Sequence, residues 1–241
     1  MLRFDVYRNG GPLADIDLAG AYVFGQDQIP VRADLAAANG QITCLKRAPG
    51  ACGLALLWEA GQAGRFLLPT TRLPESKKSY NLNLELARAQ TGRIALKRED
   101  WGLFDFPTAK ALNKEYVAVR NQFIEALKTA DPAAAAAIAD EALASGVTLG
   151  EKMTLFHADV LLKRRKLSGS TAEFGCMVDL FASSEEYATR LREAFDFIRV
   201  PLPWKQTEPK ERHYQYSQVD AWVNWAARTR RKVHAGPLLT F

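Results

Sequence analysis

Cysteine and histidine often act as nucleophiles, general bases or metal ligands, and this chain contains three of each. Three cysteines cannot all pair, and the positions of Cys44, Cys52 and Cys176 match no metal-ligand spacing. Cys44 and Cys52 would pair only in an oxidising compartment. We therefore predict no metal site and no cofactor, and we expect the cysteines to be small buried apolar residues.

His157 lies in a predicted helix, near the apolar face that carries Met153, Phe156 and Val160. A histidine in such a place suggests acid–base catalysis. No other histidine or cysteine lies near it in the sequence, so a catalytic pair has no local partner. We interpret His157 as a residue of the core or its boundary.

Four consecutive basic residues, Lys163–Lys166, end the same predicted helix, where cations suit the helix dipole. No aromatic residue is interleaved with them, and the net charge of the chain is only +5. We therefore interpret the run as solvated surface and predict no nucleic-acid partner. Nucleic-acid binding through this run and Arg228–Lys232 is kept as a third functional hypothesis.

The composition is that of a globular protein: of 241 residues, 48 % are hydrophobic and 24 % are charged. The longest apolar runs, such as Leu54–Trp58, are too short to cross a bilayer, so no membrane association is predicted. The opening Met1–Arg8 alternates instead of forming the continuous apolar stretch of a secretory signal. We expect a cytoplasmic protein.

Residues 1–107 are predicted to be rich in β-strands. Apolar residues alternate with polar ones from Leu2 to Val6, and Asn39-Gly40 predicts a hairpin turn between two further alternating stretches. Leu82, Leu84 and Leu86 also alternate, although Leu84–Leu96 fits a helix equally well. Short strands separated by turns are typical of a sandwich-like module, which serves either a structural or interaction role or carbohydrate binding.

Residues 108–167 have helical periodicity and are predicted to form a helical connector. Asp131-Pro132 is a helix start signal, because the carboxylate accepts from an early amide and proline needs no N–H there. Gly146 is a plausible stop, and a further helix is predicted over Gly150–Arg165.

Strands and helices alternate over residues 168–241. Strands are predicted at Phe174–Val178, Phe197–Leu202 and Val233–Leu239, with capping signals at Ser183–Glu186 and Ser217–Asp220 before the two helices between them. This order favours parallel pairing with right-handed crossovers. An apolar strand directly before the last residues leads us to expect that the sequence is an incomplete copy of a longer protein.

Four segments of this region resemble the family 10 glycoside hydrolases, the xylan-cleaving enzymes. They are Phe195–Pro209 (FDFIRVPLPWKQTEP), His213–Asp220 (HYQYSQVD), the aromatic and alanine pattern of Trp222–Ala226, and Lys232–Thr240 (KVHAGPLLT). The resemblance covers under a third of the chain. It implies that residues 168–241 are the first three βα units of an incomplete TIM (β/α)₈ barrel. The N-terminal part is similar to the sandwich-like region of a divergent bacterial subgroup of these proteins, so the implied fold class is multidomain α+β.

The resemblance also implies a mechanism in which two carboxylates about 5 Å apart retain the anomeric configuration. In the family these carboxylates lie at the ends of the fourth and seventh barrel strands, which here would fall beyond Phe241. Glu208 matches a structural Glu-Pro of the family and not a catalytic residue. No catalytic residue is therefore predicted in this chain, and the chain alone is expected to be inactive.

Three substrate-binding candidates follow from the matching positions: Trp204, Lys205 and His234. Barrel active sites lie at the C-terminal ends of the strands, where Trp204 can stack on a pyranose and Lys205 can hydrogen-bond hydroxyls. Packing of the loop is the alternative for Trp204, and a solvated side chain is the better interpretation for Lys205. His234 is shifted by two positions from the family's histidine, which keeps it on the same strand face.

Arg199–Trp204 replaces a Glu-Asn-x-x-Lys-Trp sequence of the family, so only its tryptophan carries over, and xylan itself is in doubt as the substrate. A charge in mid-strand is costly unless paired, and Asp179 is a candidate partner for Arg199.

The predicted function is that of a glycoside hydrolase, similar to an endo-1,4-β-xylanase, on a β-linked polysaccharide or oligosaccharide. The alternative is a non-catalytic carbohydrate-binding protein with an enzyme-like barrel.

Overall fold

The computed structural model describes residues 1–47, 49–167, 173–182 and 184–237. The fold is mixed α+β, as predicted, and the chain divides into two compact units, Met1–Leu161 and Leu162–Phe241. The strands are β1 (Leu2–Asp5), β2 (Tyr7–Arg8), β3 (Gly11–Pro12), β4 (Tyr22–Phe24), β5 (Pro30–Val31), β6 (Ala33–Ala38), β7 (Gln41–Lys46), β8 (Gly53–Glu59), β9 (Arg65–Pro69), β10 (Tyr80–Asn81), β11 (Gly175–Met177), β12 (Phe197–Val200) and β13 (Lys232–Ala235). The α-helices are α1 (Leu82–Asp100), α2 (Lys110–Lys128), α3 (Pro132–Leu167), α4 (Glu185–Ala194), α5 (Trp204–Thr207) and α6 (Ser217–Thr229). Within the described ranges, none of these helices has both the length and the apolar character needed to cross a bilayer.

The N-terminal unit contains two four-stranded sheets, ordered β10-β1-β7-β6 and β5-β4-β8-β9, and the small hairpin β2–β3. The predicted alternation in β1 is confirmed, because Leu2 and Phe4 are fully buried and their neighbours are not. Side chains of both sheets, including Ile42, Leu54 and Trp58, share one apolar core with the helices. This shared core joins the sheets and helices into one unit.

The predicted hairpin at Asn39-Gly40 is confirmed. Both residues have positive φ, 51° and 74°, as a two-residue turn with the twist of the flanking strands requires. Ala38 pairs with Gln41 on either side of it. A Cβ on Gly40 would lie 2.6 Å from the Cβ of Pro12, so the position needs glycine for space as well as for conformation.

Leu84–Leu96, for which the sequence fits a strand or a helix, belongs to helix α1. Its N-cap is Asn81, whose Oδ1 accepts from the Leu84 amide at 3.2 Å. Leu82 and Leu86 are four residues apart and both are buried in the core, so helical spacing rather than strand alternation places them. The strand interpretation of the alternating leucines was wrong.

The helix start at Asp131-Pro132 is confirmed, since Asp131 Oδ2 accepts from the Ala134 amide at 2.7 Å. The predicted stop at Gly146 and restart at Gly150 were wrong, because α3 is continuous through both. Gly146 is buried, and a Cβ there would lie 3.2 Å from Gln90 Cγ and 3.3 Å from Ile94 Cδ1. The glycine allows α3 to approach α1 closely.

The helices predicted as a connector contribute to the same core as the sheets. Phe123 and Ala126 of α2 are buried there, together with Ala139 and Leu143 of α3. A second apolar cluster lies between the helices, around Tyr116, Val119 and Met153.

The C-terminal unit has a parallel three-stranded sheet in the order β11-β12-β13, as the strand–helix alternation predicts. Helices α4 and α6 pack on one face of this sheet through a core of Val178, Leu191, Ile198, Val200, Trp222 and Ala226.

Ser183, the predicted cap of α4, lies outside the described residues, and Ser184 caps the helix by accepting from the Tyr187 amide at 3.2 Å. The predicted cap at Ser217–Asp220 was wrong: Ser217 is the first residue of α6, and the preceding Tyr216 gives no side-chain cap. Of the third predicted strand, Leu238 and Leu239 lie outside the described residues.

Candidate functional site

The C-terminal end of β12 leads through Pro201–Pro203 into α5, whose first residue is Trp204. The side chain of Trp204 is 58 % exposed, so packing of the loop does not bury the ring. The Trp204 carbonyl accepts from the Glu208 amide at 2.8 Å, which fixes the backbone of this short helix. Lys205 follows on the helix and is exposed, as expected of a solvated lysine.

The loop after α5 carries two more exposed aromatic rings, which sequence reasoning did not identify as site residues. Tyr214 and Tyr216 are 54 % and 44 % exposed, and their rings stack with centroids 6.0 Å apart at an interplanar angle of 10°. The Gln215 amide donates to the Thr207 carbonyl at 2.8 Å, so the segment between the tyrosines is bound to the end of α5. The signal in the sequence was the pattern of two tyrosines flanking one polar residue in a loop.

The two faces of the C-terminal sheet differ sharply. Ile198 and Val200 point to the helices and are 1 % exposed. Residues alternate along a strand, so Phe197 and Arg199 point to the opposite face, where Arg199 is exposed. Pairing places Met177, Arg199 and His234 in one row across this second face, and Met177 is 57 % exposed.

Two contacts organise the exposed face. The His234 ring stacks on Phe197 with centroids 4.4 Å apart and planes 27° apart. Arg199 Nε donates to the Gly236 carbonyl oxygen at 2.9 Å. The predicted carboxylate partner of Arg199 was wrong, since Asp179 Oδ1 instead accepts from the Phe181 amide at 2.9 Å.

The candidate residues therefore occupy two neighbouring places in the unit. Trp204 and Lys205 lie on α5, beyond the end of β12, whereas His234 lies on the exposed sheet face and stacks on Phe197. The arrangement presents aromatic planes and cationic donors, which suits the apolar faces and hydroxyls of sugar rings.

The carboxylates that follow β11 and α5 accept hydrogen bonds from backbone amides. Besides Asp179, Glu208 Oε1 accepts from the Arg212 amide at 2.6 Å, in agreement with a structural role for that glutamate. In the part of the chain that the structure describes, no group of three or more histidine, cysteine, aspartate or glutamate residues is placed to hold a metal ion.

The remaining sequence candidates lie in the N-terminal unit. His157 is half-buried and stacks on Trp101 with centroids 4.5 Å apart, so its interpretation as a boundary residue is confirmed. Cys44 and Cys52 are buried free thiols, and desolvation raises the pKa of Cys44 to about 12. Cys176, in the C-terminal unit, is free and half-buried.

Comparison of the chain with protein-family models, with curated proteins and with solved structures gave no match.

Proposed function

We propose that the protein is a glycoside hydrolase of β-linked polysaccharide, in which the C-terminal unit supplies part of a barrel and a contact for the glycan. The single observation that carries the proposal is the one-sided parallel sheet. Parallel sheets normally have both faces covered, yet here helices pack on one face while Met177, Arg199 and His234 are exposed on the other. In a (β/α)₈ barrel the helices lie outside and this second face lines the interior.

The order of the strands supports the same proposal. Three consecutive strands pair in chain order, with a helix after each of the first two, which is the repeating unit of such a barrel. The exposed Trp204 then lies at the C-terminal end of the sheet, where barrel enzymes bind substrate. Tyr214 and Tyr216 add aromatic surface on the following loop.

Hydrolysis needs a nucleophile and an acid/base residue. The carboxylates Asp179 and Glu208 accept hydrogen bonds from backbone amides, and we assign neither role to them. The family that this segment resembles carries both groups at the ends of the fourth and seventh strands. We therefore propose that the C-terminal unit contacts the substrate and does not supply the catalytic carboxylates.

Affinity electrophoresis of the chain in gels containing soluble xylan or another β-glycan tests this contact. We expect at least one glycan to retard the protein, and Trp204→Ala to reduce the retardation strongly because the stacking plane is lost. The control is Phe66→Ala, which removes an exposed ring from the N-terminal unit. Equal retardation of wild type and Trp204→Ala by every glycan, or no retardation at all, would contradict the proposal.

A non-catalytic carbohydrate-binding protein is the second candidate. Arg199 occupies the segment that carries sugar-binding polar residues in the family, and its Nε donates to a backbone carbonyl. Reducing-sugar release by the gene product from a glycan that retards it separates the two functions. Retardation without hydrolysis favours binding, whereas hydrolysis favours the enzyme.

A further inference from the structure

A cavity of about 520 Å³ lies in the N-terminal unit, between α1, the end of β9 and the turn after β4. Three arginines line it: Arg72 follows β9, and Arg88 and Arg93 belong to α1. Apolar side chains form other parts of the wall, among them Phe24 and Leu96.

Arg88 is held in place by the buried carboxylate of Glu85. Its Nε donates to the carboxylate of Glu85 at 3.1 and 3.3 Å, and Thr71 Oγ1 donates to the same carboxylate at 3.0 Å. Glu85 is only 6 % exposed, so its carboxylate is part of the fold and not a surface charge. The bonds from Arg88 to Glu85 use Nε, and an arginine has four further N–H donors on its two terminal nitrogens.

Arg72 and Arg93 are exposed, and within the described ranges neither forms a hydrogen bond or an ion pair with another side chain. Arg65, another exposed arginine of this unit, is by contrast paired with Asp17 at 2.7 Å. Asp27 is the only acidic residue that lines the cavity among the described residues, and Glu85 lies beneath it. Three guanidinium groups against two carboxylates leave the cavity with an excess of positive charge.

We infer that this cavity binds a small organic molecule that carries a phosphate or carboxylate group. A guanidinium presents paired donors that match the oxygens of either anion, and arginine is favoured over lysine where that geometry matters. The apolar wall at Phe24 and Leu96 would contact the uncharged part of the ligand. This site lies in the N-terminal unit and does not depend on the glycan function proposed for the C-terminal unit.

Isothermal titration of the full chain with phenyl phosphate and with benzoate tests the inference, because both probes carry an apolar ring and they differ in the anion. We expect saturable binding of at least one probe, weakened by about tenfold or more in Arg72→Ala/Arg93→Ala, since each lost charge-assisted hydrogen bond is worth about that factor. The probe that binds more tightly identifies the anionic group of the ligand.

The matched control is Arg32→Ala/Arg120→Ala, which removes two exposed arginines of the same unit that do not line the cavity. It should change the affinity by less than about twofold, because neither side chain lines the cavity. The variant Arg72→Lys/Arg93→Lys keeps the charge but loses the paired donors, and should bind more weakly than wild type. Circular dichroism of each unliganded variant should match wild type.

Three results would overturn the inference. They are no saturable binding of either probe, equal weakening in the control pair, and a single-stranded oligonucleotide that binds more tightly than both probes with a steep salt dependence. The last result would identify the arginines as part of a nucleic-acid surface instead.

Discussion

Asp140 is a half-buried aspartate of α3 whose carboxylate binds side chains from two other elements of the N-terminal unit. Its Oδ2 accepts from Asn83 Nδ2 at 2.8 Å, and its Oδ1 accepts from Trp58 Nε1 at 3.3 Å. Burial raises the pKa of Asp140 to about 6, against the lowering effects of these two hydrogen bonds and of the nearby Arg8 charge. The group thus links β8, α1 and α3 while carrying a charge that the fold disfavours.

This pKa predicts how stability depends on pH. The folded-state value lies above the ordinary 3.8, so the folded protein binds this proton more tightly than the unfolded chain does. The contribution of Asp140 to the free energy of unfolding should therefore fall as pH rises from about 4 to about 6, by about 3 kcal/mol at most, and level off above that range. Denaturant unfolding across this range measures it.

Asp140→Asn isolates the effect from other groups. The pKa of exposed Asp17 is lowered, first by the hydrogen bond from the Ala19 amide, and that of Glu75 by the N-terminal ammonium, so both give the opposite slope. The free energy of unfolding of wild type minus that of Asp140→Asn should fall as pH rises from about 4 to about 6. The control Asp105→Asn, at an exposed residue, should show the same fall as wild type. A difference curve that is flat between about pH 4 and 6 would rule the assignment out.

Local patterns predict single residues only where the partners are near in sequence. The cap of Asp131 on Ala134 followed from residues three apart. The role of Trp204 came from the family resemblance and stays a prediction. Asp140 was missed because its partners Asn83 and Trp58 come from two distant elements. Convergence of that kind depends on tertiary packing, which a single sequence does not display.

At the scale of elements, two helical glycines have opposite environments. Gly146 of α3 is buried against Gln90 and Ile94, whereas Gly92 of α1 is exposed and has no atom within 4 Å of an added Cβ. Gly92→Ala should stabilise the protein by up to about 1 kcal/mol through helix propensity. Gly146→Ala should destabilise it by about 1 kcal/mol, because crowding at the contact with α1 outweighs the same propensity gain.

Thermal or denaturant unfolding of the two variants provides the comparison. The sign of the change is what distinguishes the sites, since the substitution and the helical setting are the same. Stabilisation of similar size in both variants would show that α3 and α1 can separate at no cost, and that the close approach at Gly146 is not required.

Periodicity explains which elements the sequence could predict. Strands with one buried face, such as β1, and hairpins with a defined turn are encoded within a few residues, and both were found. Leucines at every second position in Leu82–Leu86 fit two periods, and only the core that receives them selects the helix. Gly146 reads as a stop in the sequence, yet packing against another helix gives it the opposite role.

At the scale of the whole molecule, the two units have cores of different size. The C-terminal core contains six buried side chains among the described residues, and one face of its sheet is exposed. In the N-terminal unit, residues from both sheets and from the helices form a larger core. The parallel order of β11–β13 was predictable from strand–helix alternation, but the exposed second face was not, since it depends on what packs against the sheet.

This difference predicts two unfolding transitions, with the C-terminal unit unfolding first, because stability rises with the apolar surface that a unit buries. Ile198→Ala removes a fully buried side chain of the small core and should cost that unit about 2–5 kcal/mol, which lowers only the first transition in scanning calorimetry. Leu54→Ala makes the matching change in the large core and should lower only the second. One transition that both substitutions lower equally would mean that the two units unfold together, and that the exposed sheet face does not limit the stability of its unit.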